Sequence, residues 1–417
     1  MAFAMSRSPP RYGPFRADDA ESDVAPYRHP PPPDHAAIRT EMSRYFKRRL
    51  GRLKIEKTTT TPRGQTIDWI AAESQIHGGQ LAEPPPDAAA VKPRRRQRVA
   101  RAATPELADT DCERGPSGTV PVLRKKLDAL PFTVPLCLYL SKYRGAEVLS
   151  HRGSDILVPD GDARGTHWTA SVGQDLICWG SEAQYSCFDP YTASSEQFSL
   201  IQTRLLCDAS GVRQTVEAGW QEYQGITGDW IPHLFTYYTS NGYRWDDDDQ
   251  GGYNTDVDGW VQVDNLIFPG STFAPLSTIG GDQREIDIQY RLYNDNWWLR
   301  CQGRWVGYYP KHLFMGKGST FDNLADHAER VEFYGEVASF DSAATPTDMG
   351  SGRFADEGWK QAAYIKNMRV QTDRVGGMTP LHLSRVKVSD SRLYTIDVHV
   401  PSDTDWGSFI FLGGPGA

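Results

Sequence analysis

Several features that would place a chain of this length in other classes are missing from it. The 417 residues contain no run of about eighteen apolar residues, so the sequence predicts no membrane-spanning helix. Aspartate and glutamate (53) outnumber lysine and arginine (45), and the net charge of −8 argues against nucleic acid as the main partner. Residues 1–14 also lack the apolar core of a secretory signal.

Familiar catalytic and metal-binding motifs are missing too. The six cysteines show no Cys-x-x-Cys spacing; they permit disulfides without indicating an oxidising compartment. No Gly-x-Ser-x-Gly motif is present. His167, in GTHWTAS, and His312, in YPKHLF, have no serine or cysteine partner motif, so we predict that both are structural histidines.

The composition changes repeatedly along the first part of the chain. Residues 1–33 are proline-rich and polar, which predicts disorder. Residues 34–86 contain a helical pattern from about His35 to Leu53 and then a strand pattern in GQTIDWIAAES, residues 64–74. We interpret residues 87–124 as a linker.

The basic run KPRRRQRVAR, residues 92–101, lies within this linker. Binding to an acidic polymer or nuclear import is one interpretation of such a run. Its proline-rich and alanine-rich surroundings favour a solvated segment that proteases can cut.

Residues 125–417 are built from short runs rich in Val, Ile, Thr, Tyr, Phe and Trp, separated by Gly, Asn and Asp. REIDIQYRL, WWLRC and RWVGYY are joined by the turn sequences YNDN and QG, which predicts an antiparallel meander. Helical patterns are scarce. We therefore predict an all-β catalytic domain, an antiparallel β-sandwich, preceded by a small mixed pro-segment with one helix and a short strand.

The stretch RQTVEAGWQEY places one carboxylate on a strand face. Alternation puts Glu217 on the same side as Thr215 and Gly219, with Trp220 on the opposite side. In VEFYGEV, Gly335 precedes Glu336. Since glycine in a strand permits close backbone approach, we expect a peptide to pass near both glutamates.

Several motifs follow one another in a fixed order after about Gly118. They are EAGW, FTYYTSNGY, GYNTDVDGWVQ, NWWL, VGYYPKHLF, YGEV, MGSGRFADEGWKQAAYIKNMRV and DTDWGSFIFLGGPG. Together they resemble the neprosin family, secreted glutamic peptidases that cut after proline. Upstream, GQTIDWI, HGGQ and PPP resemble that family's activation peptide, and CERGPSGTVPVLRKK resembles the segment that joins it to the catalytic domain.

The resemblance implies that Glu217 and Glu336 are the catalytic residues and that no metal or organic cofactor is needed. It also implies an N-terminal segment that blocks the cleft until acid pH removes it. The stretch before Glu336 looks longer than the family's usual spacing, so Glu329 and Glu332 are alternatives. Otherwise we predict that Glu332 is a solvated surface residue.

The expected function is therefore an acid-active glutamic endopeptidase, made as a proenzyme and secreted. Its partners would be protein or peptide substrates that contain proline, and its own pro-segment as an inhibitor. We expect residues 64–86 of that pro-segment to lie over the cleft in the intact chain. The alternative is a non-catalytic β-sandwich that binds peptide or cell-wall glycan.

Aromatic residues of the predicted sandwich are candidates for stacking on a proline ring. The candidates are Trp220, Tyr243, Trp298 and Tyr308. Core packing is the competing interpretation for each of them.

One loop departs from the plant members of the family. Gly252 and Val257 stand where those members have two cysteines, so that disulfide is absent. Asn254, Asp256 and Asp258 follow the ligand spacing of a calcium loop, but the twelfth position is not glutamate. The loop is thus a weak calcium candidate and otherwise a solvated acidic turn.

Overall fold

The computed structural model describes most of the chain. The described residues are 35–76, 78–86, 100–127, 136–140, 142, 166–208, 211–243, 251–315, 323–340, 344–400 and 406–417. The predicted disorder of residues 1–33 and the basic run as far as residue 99 lie outside them. Within them, no helix is long and apolar enough to cross a membrane.

The N-terminal region forms a small helical and stranded unit. Helix α1 (His35–Leu50) is followed by strands β1 (Ile55–Thr60) and β2 (Thr66–Ala71), and β2 also pairs with β5 (Thr119–Leu123). Helix α1 ends three residues before the predicted boundary, and a 3₁₀ turn takes up the end of the predicted strand in residues 64–74.

The described part of the predicted linker is ordered, which corrects that expectation. Strand β3 (Arg101–Ala102) pairs with residues 284–285 of the sandwich, β4 (Thr104–Pro105) pairs with residues 273–274 in a separate two-stranded sheet, and a 3₁₀ turn follows. Leu107 and Cys112 are buried with Trp69 of the small sheet. This burial fixes the segment against the body.

The remaining elements are mostly antiparallel strands. In chain order they are α2 (Leu136–Leu140), β6 (Thr166–Cys178), β7 (Gly180–Ser186), β8 (Gln197–Cys207), β9 (Gln214–Glu222), α3 (Gln224–Thr227), β10 (His233–Thr239), β11 (Gly251–Tyr253), β12 (Val261–Gln262), β13 (Phe273–Ala274), β14 (Arg284–Tyr293), β15 (Asn296–Cys301), β16 (Arg304–Pro310), β17 (Ala328–Ser339), β18 (Ala363–Gln371), β19 (Thr379–Pro380), β20 (Arg385–Val388), β21 (Thr395–His399) and β22 (Phe409–Gly413). The 3₁₀ turns within the described residues are Ala72–Gln75, Glu106–Ala108, Lys311–Phe314 and Ala355–Glu357.

Two large sheets make the sandwich. The first has the order β11-β10-β9-β8-β17-β6-β20. The second runs β12-β16-β15-β14-β7-β18-β22-β21, with β3 and β19 added at its side. The predicted all-β sandwich and the meander β14-β15-β16 are both confirmed.

The core lies between the sheets because strands of both present every second side chain inward. Val216, Ala218 and Trp220 of β9 meet Ile286, Ile288 and other apolar residues of the second sheet. The indole N–H of Trp220 donates to the carbonyl of Ser186 at 2.7 Å, which satisfies its one polar atom. Cys112, Cys178, Cys187 and Cys301 are buried free thiols.

Candidate active site

Glu217 and Glu336 lie on the same face of the first sheet, turned away from the core. In register, β8 separates them: Glu217 of β9 pairs with Arg204, and Glu336 of β17 pairs with Leu200. Both carboxylates have 0% exposure. Two fully buried carboxylates on one sheet face require compensating charge.

Lys142, from the N-terminal part of the chain, supplies that charge. Its Nζ lies 2.7 Å from Oε2 of Glu217 and 2.9 Å from Oε2 of Glu336, and it is itself fully buried. The backbone N–H of Lys142 donates to the hydroxyl of Tyr237 at 3.3 Å. A single ammonium therefore occupies the space between the two glutamates.

Glu217 also accepts hydrogen bonds from neutral donors. Gln202 Nε2 donates to its Oε2 at 2.9 Å, and Thr215 Oγ1 donates to its Oε1 at 3.0 Å. The hydroxyl of Tyr243 donates to the same Oε1. Tyr243 has φ of +63°, a left-handed conformation that costs free energy for a non-glycine residue and here aims the phenol at the carboxylate.

Glu336 has a different partner. His167 Nδ1 lies 2.7 Å from its Oε1, with the imidazole side chain 5% exposed. Edge contacts with Phe198 at 6.0 Å and Phe340 at 5.5 Å between ring centroids fix the orientation of the imidazole. His167 therefore lies in contact with the candidate site, whereas His312 lies exposed in a 3₁₀ turn elsewhere.

The electrostatics keep both glutamates ionised while Lys142 is in place. Burial raises the pKa of Glu336, but Lys142 and the hydrogen bond from His167 outweigh it and lower that pKa to about 2. Burial likewise raises the pKa of Glu217, and Lys142, Arg204 and the donors above lower it below its usual range. The ammonium and the two carboxylates form one coupled unit.

A polar groove continues from Glu336 along β17, β6 and β20. Its lining includes Ser171, Tyr334, Lys387 and Ser389. Within it Arg204 forms a buried ion pair with Glu332, which is 8% exposed. Glu332 is therefore a structural partner of arginine, and its prediction as a solvated surface residue is wrong.

The other half of the same sheet face is apolar and covered. Its aromatic side chains are Phe198, Tyr223, Phe235, Tyr237, Tyr243, Tyr253 and Phe340. Ile38, Met42 and Phe46 of α1 pack on this surface together with Tyr139 of α2. Helices α1 and α2 thus cover the sheet beside the glutamates, a role that the sequence assigned to residues 64–86.

Residues 64–86 lie elsewhere, which corrects that expectation. Strand β2 belongs to the small N-terminal sheet, and Ile76, Leu81 and Ala82 pack against Trp298 and Tyr308 of the second sheet. The proline-rich end of this segment is therefore separate from the glutamate pair.

Only one of the four candidate aromatic residues contacts the glutamates. Tyr243 donates to Glu217, as described above. Trp220 is in the core between the sheets, while Trp298 and Tyr308 form a cluster on the second sheet. The correction has a simple cause: alternation sends Trp220 to the face opposite Glu217.

The two glycines near the glutamates serve packing within the protein, which corrects the expectation of substrate approach. A Cβ at Gly219 would lie 2.0 Å from the carbonyl oxygen of Ile201 on β8. A Cβ at Gly335 would meet Leu412 and Met349 of the core at 2.7 and 2.8 Å. Neither position leaves room for a side chain.

The acidic loop is neutralised by side chains of the N-terminal region. Asp256 pairs with Lys125 at 2.6 Å, and Asp258 pairs with Arg49 of α1 at 2.7 Å. Asn254 accepts the backbone N–H of Thr236 at 3.0 Å. Among the described residues no three His, Cys, Asp or Glu side chains form a group that could hold a metal ion. The burial of Asp256 and these ion pairs show that the loop is not a freely solvated turn.

Sequence reasoning missed Lys142, His167 and Gln202. In β8, Gln202 and Arg204 lie on one face, but Ser199 and Thr203 lie on the other, so alternation gives only a weak signal for Gln202. Lys142 has no such signal: it meets Glu217 across 75 positions of sequence. Glu329, the other alternative, instead accepts the backbone N–H of Asp208 at 2.9 Å.

Fold and site define a class: an antiparallel β-sandwich with a pair of buried glutamates on one outer face and an N-terminal region that covers them. The neprosin family model matches residues 195–415, which is more than half of the chain and includes both glutamates. The chain belongs to the neprosin family.

Solved structures with some likeness to the chain include two peptidases. One is scytalido-glutamic peptidase with a transition state analog inhibitor, at 10% identity and a TM-score of 0.32, covering 59% of this chain and 97% of that one. Another is SCP-B of the eqolisin family in complex with the tripeptide Ala-Ile-His, at 10% identity and a TM-score of 0.30, covering 60% and 98%.

Proposed function

We propose that this protein is a secreted glutamic endopeptidase that cuts after proline and is made as a proenzyme. Glu217 and Glu336 are its catalytic pair. One observation carries the proposal: both buried carboxylates contact the same lysine ammonium, which comes from the region upstream of the sandwich. When the cation leaves, two neighbouring carboxylates repel each other, so the pair takes up one proton and shares it.

The chemistry follows from that shared proton. The ionised glutamate removes a proton from water as the water oxygen attacks the scissile carbonyl carbon. The protonated glutamate donates its proton to the carbonyl oxygen, which gives a gem-diol. The other glutamate, now carrying the proton taken from water, donates that proton to the leaving nitrogen. As the C–N bond breaks, the first glutamate takes a proton back from a gem-diol hydroxyl, and both groups return to their starting forms. Each proton transfer contributes about 10²- to 10⁴-fold to the rate.

Lys142 explains how the proenzyme stays inactive. It fills the position of the substrate carbonyl and water, and it holds both glutamates in the ionised form, which lacks the required proton. Because the bound lysine lowers the pKa of Glu336 to about 2, its contact is strongest above the ordinary glutamate pKa of about 4.3 and is lost as pH falls towards 2. Acid therefore favours the state without Lys142.

Because Lys142 must leave the site, the position of the maturing cut in the sequence is restricted. A cut in the basic run alone would leave Lys142 attached to the sandwich. We propose that the maturing cut lies C-terminal to Lys142 and before β6, so that α1, the small sheet and α2 leave together.

The aromatic side chains under α1 and α2 support the preference for proline. Removal of these helices would expose Phe198, Tyr237 and Tyr253 beside Glu217 and Glu336. Aromatic faces suit the flat, apolar pyrrolidine ring.

Replacement of each glutamate by glutamine tests the proposal. Acid-processed Glu217→Gln and Glu336→Gln should each cleave a peptide with a single internal proline at least about a hundredfold more slowly than wild type, since an amide cannot exchange the proton. Mass spectrometry of the products at about pH 3 to 4 reports both rate and position. The matched control is Glu329→Gln, on the same strand, which should retain wild-type activity.

Wild-type protein that is processed yet inert would instead favour a peptide-binding or glycan-binding module. A glutamine variant that keeps more than about a tenth of the wild-type rate would remove that glutamate from the mechanism.

A further inference from the structure

A second aromatic surface lies on the face of the second sheet that is turned away from the core. Strands β15 and β16 send Trp297, Leu299 and Tyr309 inward. Alternation sends Trp298 and Tyr308 outward, where they pair across the strands with ring centroids 4.6 Å apart. We call the cluster of Val261, Trp298, Trp305 and Tyr308 the outer aromatic face.

The chain's own proline-rich segment occupies this face. Leu81 and Ala82 pack on it, and the backbone N–H of Ala82 donates to the hydroxyl of Tyr308 at 3.2 Å. Just upstream, Gln75 and Gln262 exchange two hydrogen bonds between side chain and backbone, at 2.8 and 2.9 Å. These contacts resemble those of a bound peptide.

The sequence of the occupant is that of a polyproline II peptide. Residues 81–86 read LAEPPP, lie outside regular helix or strand, and bury Pro85. Consecutive prolines fix φ near −65° and restrict each preceding residue to extended conformations, so such a segment is ordered before it binds. Aromatic-lined grooves recognise it for that reason.

The outer aromatic face also has unused hydrogen-bond donors. The indole Nε1 atoms of Trp298 and Trp305 are buried without a partner among the described residues. A polyproline II backbone has free carbonyl oxygens, because it makes no internal hydrogen bonds. Indole N–H groups are suitable donors to such carbonyls.

We propose that the outer aromatic face is a second peptide-binding site, specific for extended proline-rich segments and separate from the glutamate pair. In the intact chain Leu81 and Ala82, directly before Glu83 and the three prolines, occupy it. It becomes available to substrate when the N-terminal region leaves, and for that step the inference rests on the proposed function. A long proline-rich substrate can then bind the outer aromatic face and the glutamate site at the same time, and binding at one site raises its effective concentration at the other. A short peptide reaches only one site and gains no affinity in this way.

The test measures peptide binding to the full-length chain without relying on catalysis. The probe is a fluorescein-labelled peptide QLAEPPP, equal to residues 80–86, followed by fluorescence anisotropy. The protein carries Glu217→Gln to prevent cleavage, together with Ile76→Asp and Leu81→Asp to displace the internal segment. Hydrogen exchange at the Ala82 amide verifies the displacement.

The displaced variant should bind the peptide at least about tenfold more tightly than Glu217→Gln alone, whose own segment competes. The matched peptide QLAEGGG should bind about tenfold more weakly, because it lacks the fixed backbone. Adding Tyr308→Phe should weaken binding at least threefold through loss of the bond to the Ala82 N–H. Tyr191→Phe, at an exposed tyrosine elsewhere, should have no effect.

Absence of saturable binding once the Ala82 amide exchanges freely would overturn the proposal. Equal binding of the two peptides would do the same, as would indifference to Tyr308→Phe. Each of these results leaves the glutamate mechanism untouched, since peptide cleavage is measured separately. If processed wild-type protein shows no peptidase activity while the displaced variant binds the peptide, the proposed function alone is refuted.

Discussion

The two glutamates differ in the groups that donate to them, and this difference suggests their roles. Glu217 accepts from the neutral side chains of Gln202, Thr215 and Tyr243. Glu336 accepts from His167, whose hydrogen bond and charge favour the ionised carboxylate. After Lys142 leaves, we expect Glu336 to be the base and Glu217 to hold the proton.

Replacement of His167 by glutamine tests this assignment. Without the imidazole, the pKa of Glu336 should rise, so the fall in kcat/KM on the acid side should move to higher pH by about one unit. The measurement is the pH profile of processed enzyme between about pH 2 and 7. A purely structural histidine would lower the rate at every pH without moving the profile, and that result would contradict the assignment.

For single residues, the sequence points to the two glutamates of the proposed catalytic pair but not to the side chains that contact them. Glu217 and Glu336 stand in local motifs, EAGW and YGEV, that a reader can recognise. Lys142 and His167 act through contacts with residues 75 and 169 positions away. No local pattern encodes such contacts, because they depend on how separate elements pack.

Among the elements, α1 shows how charge fastens the N-terminal region to the sandwich. An arginine-rich helix is expected to pair with acidic residues of the sandwich, and acid is expected to break such pairs when the carboxyl pKa is lowered. Arg49 does pair with Asp258, and neighbouring Lys125 pairs with buried Asp256.

The pKa shift of Asp256 has the opposite direction to the one that this expectation requires. Burial raises its pKa despite Lys125 and Arg49, so the folded protein holds the Asp256 proton more tightly than the unfolded chain does. A raised carboxyl pKa gives stability that is lost as pH rises, not as it falls. We therefore expect the acid response from Glu217 and Glu336, whose pKa values the contact with Lys142 lowers.

Replacement of Asp256 by asparagine should loosen α1 without creating acid sensitivity. It leaves Lys125 buried beside a neutral amide, and breaking a buried pair is strongly destabilising. Hydrogen exchange of α1 amides at neutral pH should accelerate at least about tenfold. Asp111→Asn, in an exposed turn, is the control, and equal exchange in both variants would show that the pair does not hold the helix.

The elements themselves were largely predictable. The meander β14-β15-β16 follows from period-two patterning and short turns, and α1 from helical spacing. The described part of residues 87–124 was not, because its strands β3 and β4 have two residues each and exist only through pairing with residues 284–285 and 273–274.

Across the whole molecule, the N-terminal region covers two surfaces at once. Helices α1 and α2 with Lys142 cover the glutamate pair, while Ile76, Leu81 and Ala82 cover the outer aromatic face on the other sheet. One release event would therefore open both surfaces. This coupling depends on tertiary packing, so composition and motifs could indicate a pro-segment but not which surfaces it covers.

The most direct test of the account is the pH at which intact chain converts to active enzyme in wild type and in Lys142→Gln. Glutamine removes the cation that keeps both glutamates ionised, so acid is no longer needed to weaken the contact. Conversion is followed on gels, and activity with a single-proline peptide, across about pH 3 to 7.

Wild type should convert only in acid, whereas Lys142→Gln should convert at pH values at least about one unit higher. Lys57→Gln, which removes an exposed lysine of the same region paired with Glu113, should behave as wild type. Identical profiles for wild type and Lys142→Gln would contradict the central claim that Lys142 holds a catalytic glutamate pair inactive.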